Sequence, residues 1–186
     1  MNKRNYSVMC ISMLGLVVVA AWTGRVTGKM QGSTPWAIWC TAGSAGSVQT
    51  YSDGKIKQSG ERLVFKGSKT GSAFVQYSVI PTDGFYWQVQ MPVTTDFVVR
   101  YKDNGSFSQV KLNLIAVNIN NGNKTTVYKF DSDDYGTSNN PITRTFSFTL
   151  DKPWGDFVYY IAGTMKRTAL EGEPEIIAIQ IKAYDD

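Results

Sequence analysis

Phe74-Val-Gln-Tyr-Ser-Val-Ile80, Pro81-Thr-Asp-Gly84, Phe85-Tyr-Trp-Gln-Val-Gln-Met91 and, after a polar break, Asp96-Phe-Val-Val-Arg-Tyr101 form the stretch that decides the fold. In its middle run Phe85, Trp87, Val89 and Met91 fall on one side of an extended chain, and Gln88 and Gln90 on the other. Strand side chains alternate faces with period two, so the pattern describes a strand with one buried face. Pro81 presets φ and Gly84 accepts a positive φ, so the residues before that run make a turn. Consecutive antiparallel strands are the expected arrangement.

The same alternation continues toward the C-terminus. Val110, Leu112 and Leu114 share a face, after which Ile115, Val117 and Ile119 take the other. A β-bulge near Ala116 would account for that slip. Asp103-Asn104-Gly105 is a hairpin-type turn signal, and Asn120 to Asn123 turns the chain back into a strand over 124–130. Ile142, Arg144, Phe146, Phe148 and Leu150 alternate with hydroxyl residues. Phe157, Tyr159 and Ile161 alternate up to Gly163, and Ile177, Ile179 and Ile181 close the chain. Toward the N-terminus, a short strand is expected over 61–66 and another near Val48 and Tyr51. Eight or nine short strands without a convincing helix or an internal repeat predict an all-β, two-sheet antiparallel sandwich, and a jelly roll fits that strand number.

Composition agrees. Aromatic residues make up 13% of the 186-residue chain, and Thr, Ser, Asn and Gly abound, which favours strands and turns. The formal net charge of +4 is carried by Lys3, Arg4, Arg25 and Lys29, so the remainder is near neutral. No basic stripe interleaved with aromatics is present, and nucleic acid is not an expected partner.

Met1 to Ser7 is a short basic head, and the uncharged run from Val8 to Trp22 follows it, with small residues at Ala20 and Ala21. This is the layout of a secretory signal. The run is shorter than the roughly 20 residues that cross a bilayer comfortably. Two outcomes stay open: cleavage after Ala21, or retention as a signal anchor with Trp22 at the interface. Either way the body is exported, to the cell surface, the periplasm or the medium, and only this segment would touch a membrane. The expected organisation is residues 1–22 as signal or anchor, 23–59 as a Gly/Ser/Thr-rich arm with Trp36 and Trp39 plugging one end of the core, and 60–186 as the jelly roll. With Cys10 in the apolar segment, Cys40 is the one thiol of a cleaved chain, free or paired between chains.

The chain contains no histidine. That removes Ser-His-Asp and Cys-His catalysis and His-ligated metal centres, and no phosphate-binding glycine loop precedes a helix. The expectation is a protein that is not an enzyme. Two loop features remain. Asp131, Asp133 and Asp134 offer the hard oxygen ligands that Ca²⁺ takes, although the EF-hand spacing fails at its twelfth position, Ile142. Tyr135, Trp154 and Tyr51 are loop aromatics whose rings would take the C–H face of a sugar.

Gly67-Ser-Lys-Thr-Gly-Ser-Ala-Phe-Val-Gln-Tyr-Ser-Val79, Gly84-Phe-Tyr and Phe97-Val-Val-Arg-Tyr101 resemble the first half of the galactose-binding-like jelly rolls, the group that holds many carbohydrate-binding modules. Residues 146–150, Trp154-Gly155, 157–163 and 175–181 look like that family's closing strands, so the likeness covers residues 60–183. It implies a jelly roll that binds glycan at its loops. The chain departs from the pattern where Tyr135 stands in a loop that often carries a stacking Trp, and where Glu173 and Glu175 stand near an expected Asn. The leading expectation is a non-catalytic module recognising glycan or cell-surface material. The alternative is a structural or assembly subunit of a virion, pilus or surface layer, homo-oligomeric and held by its N-terminal segment.

Overall fold

The structure, a computed structural model, describes residues 35–80 and 92–184, with backbone alone at 35–38. Eleven strands are present among them: β1 (Pro35–Ala42), β2 (Ser47–Val48), β3 (Ile56–Ser59), β4 (Arg62–Phe65), β5 (Gly71–Val79), β6 (Val93–Asp103), β7 (Ser108–Asn118), β8 (Lys124–Asp131), β9 (Ser138–Leu150), β10 (Phe157–Arg167) and β11 (Glu175–Tyr184). The first sheet runs β3-β4-β11-β6-β9, with β1 also paired to β11, and the second runs β2-β5-β10-β7-β8. Every pairing is antiparallel. This is the two-sheet jelly-roll sandwich that the alternation predicts. The expected strand over 85–91 and the N-terminal segment 1–22 lie outside the described residues, among which no helix is long and apolar enough to cross a membrane.

The core is the set of inward positions of both sheets. Val93, Phe97, Val99 and Tyr101 of β6 and Ile176, Ile179, Ile181 and Ala183 of β11 face Val110, Leu112 and Leu114 of β7 and Tyr159, Ile161 and Met165 of β10, all buried. Each large apolar side chain so buried contributes about 1.5–3 kcal/mol. At the centre of the second sheet, Gly163 of β10 lies in register between Val75 and Leu112, and a Cβ there would stand 2.7 Å from the Val75 side chain. The glycine at this position makes room for its neighbours instead of ending the strand, which continues to Arg167.

Four expectations need correction. The described part of the expected arm, residues 35–59, is built into the sandwich. β1 pairs with β11 from Pro35↔Tyr184 to Ala42↔Ala178, and Trp39 packs on the core. Local composition cannot reveal this, because the partner strand is about 140 residues away. The Asp103-Asn-Gly turn does not make a hairpin: it carries the chain from β6 in one sheet to β7 in the other. Asn104 anchors the crossing, its Nδ2 donating to the Glu171 carbonyl (2.7 Å) and its Oδ1 accepting from the Glu173 N–H (2.7 Å). The bulge falls opposite Leu114 and Ile115, but the extra residue is Val127 of β8, so β7 keeps its inward phase through Ala116. The polar stretch 131–141, which by composition is expected to be a loop, is shorter than that, since β9 already begins at Ser138. Pro141 is tolerated there because β9 is an edge strand, where a missing N–H costs no ladder bond.

Gly43, just after β1, is the tightest point. A Cβ there would stand 1.9 Å from the backbone oxygen of Ile176, whereas Gly54 has open space. Its carbonyl also accepts the buried Tyr77 hydroxyl at 2.8 Å. Gly43→Ala is expected to destabilise the fold by about 3 kcal/mol, and Gly54→Ala to change stability by under about 1 kcal/mol. Urea unfolding followed by tryptophan fluorescence measures both.

Candidate functional site

The three loop aromatics do not form one site. Trp154 is 8% exposed and packs on Tyr159 with ring centroids 4.1 Å apart. The indole folds inward because the turn that carries it is closed underneath by the Tyr159 hydroxyl, which donates to the Lys152 carbonyl at 2.6 Å. The indole is thus largely packed into the core, and what it leaves accessible lines an apolar depression of about 410 Å³ with Phe157, Val158 and Tyr160. Tyr51 is 62% exposed and leans on Phe74 at 5.3 Å. Trp154 lies next to the Phe157 end of β10, while Phe74 pairs with Thr164. Seven residues of strand separate those levels, about 23 Å. Tyr135 is half-buried, stacked on Phe130 at 5.9 Å and covered by the Arg144 guanidinium, 4.7 Å from its ring centroid.

The acidic loop is committed to structure. Asp131 caps the 3-10 turn Ser132–Asp134 by accepting the Asp133 N–H (3.2 Å). It also accepts from Gln109 (3.0 Å) and is ion-paired with Lys111 at 2.7 Å. Asp133 is bonded by the same Gln109 amide, and partial desolvation beside Asp131 and Asp103 holds its carboxyl above the usual range. Asp134 points to solvent on the exposed side of the turn. Among the described residues no three His, Cys, Asp or Glu side chains gather as a metal-holding group. Spacing suggested ligands for Ca²⁺; of the three acids, Asp131 and Asp133 are engaged by a lysine, an amide and a backbone N–H, and Asp134 is exposed. Behind them, buried Ser132 donates to buried Asp103 and accepts the Val110 N–H at 2.8 Å, which ties the turn to both sheets.

A surface that the alternation left unread is the outer face of the first sheet. The registers of β1, β11, β6 and β9 line up outward residues in rows. One row holds Cys40, Gln180, Val98 and Thr145, the next Ala178, Arg100 and Thr143, and a third Lys182, Asp96 and Ser147. Small residues meet in the first two rows, leaving a depression of about 280 Å³ floored by Val98 and Ala178 and bounded by Cys40, Arg100, Thr143 and Gln180. Beside it Asp96 is fixed by two donors, Ser147 Oγ at 2.6 Å and Tyr184 OH at 2.8 Å. That bond to a carboxylate keeps the Tyr184 proton on and raises its pKa. Polar residues at most outward positions of β6 and β11 are visible in the sequence. Their convergence is not, because it requires the pairing of strands about 80 residues apart.

A larger depression of about 360 Å³ lies by β3, β4 and the loop before β11. Most of its charges are engaged: Arg62 pairs with Glu175 at 3.1 Å, Lys102 with Glu173, and Arg167 donates to the carbonyls of Gly67 and Ala169, while Lys57 also lines it. It reads as a clasp for the ends of the sandwich.

No protein-family model matches the chain, and no curated protein matches it. Solved structures similar in fold include jelly-roll carbohydrate-binding modules. The CBM22-1 xylan-binding domain of Paenibacillus barcinonensis Xyn10C is 12% identical over 86% of this chain and 90% of that one, with a TM-score of 0.37. The xylan-binding module CBM15 is 15% identical over 84% and 94%, TM-score 0.40. The family 11 module of Clostridium thermocellum, in complex with a β-1,3-1,4-mixed-linked tetrasaccharide, is 16% identical over 85% and 93%, TM-score 0.36. Against the CBM22-1–GH10 portion of the Clostridium thermocellum xylanase 10B, this chain spans a quarter (25%) of the matched chain's length. At such scores no residue role and no ligand passes from those proteins to this one.

Ser132→Ala would strip a donor from the buried Asp103 carboxylate and an acceptor from the Val110 N–H. We expect a loss of about 3 kcal/mol in urea unfolding, with the melting temperature of the parent protein the same in calcium and in chelator.

Proposed function

We propose that the chain is an exported, non-catalytic binding module that takes a glycan on the outer face of its first sheet. The observation that carries the reading is the fixed group Tyr184–Asp96–Ser147 beside the depression bounded by Gln180 and Arg100. A sugar presents C–H patches and hydroxyls together, and its recognition takes an aromatic ring plus a few oriented polar groups. Asp96 is oriented before any ligand arrives, and a carboxylate with two donors still has lone pairs for sugar hydroxyls. Lys182, Gln180 and Arg100 add donors on the same face, and the threonines of β9 add hydroxyls. Groups held on strands are pre-ordered, which lowers the entropy lost on binding.

The reading as a binder and not a hydrolase rests on the same geometry. Glycoside hydrolysis works with two carboxylates across the scissile bond. Asp96 stands instead between a hydroxyl and a phenol, with Lys182 as its strand neighbour. Export rests on the basic head and apolar run at 1–22.

A glycan array probed with the parent protein, Tyr184→Ala, Asp96→Ala and Tyr51→Ala tests the site. Tyr184→Ala and Asp96→Ala are expected to weaken binding by about tenfold or more, Tyr51→Ala to leave it unchanged, and chelator to have no effect. Silence of the parent protein across the array, or full binding by both site variants, would sink the proposal.

A further inference from the structure

The geometry points to a two-fold dimer of this chain through strand β9. The inference is independent of the sugar reading. β9 is 13 residues long, and among the described residues it pairs with β6 alone, so its other side presents a row of backbone donors and acceptors. Such an edge recruits another strand unless something blocks it.

The opposite seam strand, β8, is blocked: Lys124 and Lys129 are exposed on it, and Val127 bulges out of register. The first half of β9 is also guarded, by Pro141 and by Arg144, which turns inward to Tyr135 and donates to the Tyr101 hydroxyl at 3.1 Å. From Thr145 to Leu150 no guard remains among the described residues. Thr145, Ser147 and Thr149 are exposed and uncharged, and Phe146 and Phe148 on the other face are only half-buried. Both rings stack on half-buried Tyr128, at 5.9 and 5.1 Å, leaving an aromatic strip along the seam between the sheets.

The occupant that fits is the same segment of a second copy. Antiparallel pairing about Ser147 sets Ser147 opposite its own counterpart. Thr145 then faces Thr149 of the second copy, and Phe146 faces its Phe148, each pair occurring twice. Hydroxyl pairs and aromatic pairs across a strand are both favourable. Charge permits the register too: Arg144 meets Leu150 and Asp151 meets Thr143, so no like charges oppose. The paired strands would join two first sheets into one and cover the strip formed by Phe146, Phe148 and Tyr128. A second copy brings a closed two-fold contact, so association stops at the dimer.

The full chain, freed of its N-terminal segment if the cell removes it, is measured by light scattering coupled to size exclusion. We expect twice the mass of one chain, and a monomer in the double variant Thr145→Lys/Thr149→Lys with unchanged near-ultraviolet circular dichroism. In a Cys40→Ser background, Ser147→Cys should form a covalent dimer under mild oxidation, while Thr125→Cys on β8 should not. If the lysine variant does not fold, the cysteine comparison decides. A monomeric parent protein, a dimer that survives both lysines, or failure of Ser147→Cys to cross-link would each overturn the inference.

Discussion

The register of β11 against β6 is the constraint on which the first sheet depends. Ile181 sits opposite Phe97 and Ile179 opposite Val99, which places four apolar side chains in the core. The same register places Lys182 beside Asp96 and Gln180 beside Val98 on the outside. A slip of one residue would exchange the two sets and lose both core and surface. The phase is set near the start of β11, where the register shifts between Ile176 and Ala178 and leaves both Ile176 and Ile177 buried. Glu175, bonded to Arg62 at 3.1 Å, holds the strand's beginning against β4.

Much of the architecture was legible because burial on a strand leaves a period-two trace. β4, β5, β6, β10 and β11 appear where alternation places them. The failures share a cause, which is that the deciding partner lies far along the chain. β1 is Gly- and Thr-flanked and reads as an arm until β11 is there to pair with it. Asn104 reads as a hairpin residue, but its amide is engaged by Glu171 and Glu173. Gly163 reads as a strand end, but it is the narrow point between Val75 and Leu112.

The site shows the same division. Exposed acids and aromatics in loops are what a sequence offers as recognition groups, and in this fold the loops need them for closure. Asp131 caps a turn and pairs with Lys111, Trp154 fills a gap beside Tyr159, and Tyr135 is clamped by Arg144. The site proposed on this scaffold draws instead on side chains whose only local sign is being the polar half of an alternating pattern. Asp96, Gln180, Lys182 and Tyr184 look like ordinary solvent-facing residues one strand at a time.

The pairing of β1 with β11 also governs when the chain can fold. One strand of the first sheet comes from the start of the described chain and its partner from the end, so that sheet stays incomplete until β11 is available. Contacts of such sequence separation carry a high loop-closure entropy and slow the folding of sandwiches. A chain without β11 has no partner for Pro35 to Ala42, and Arg62 to Phe65 is left with β3 alone. The first sheet is thereby among the last parts to close, and it locks only when β11 docks.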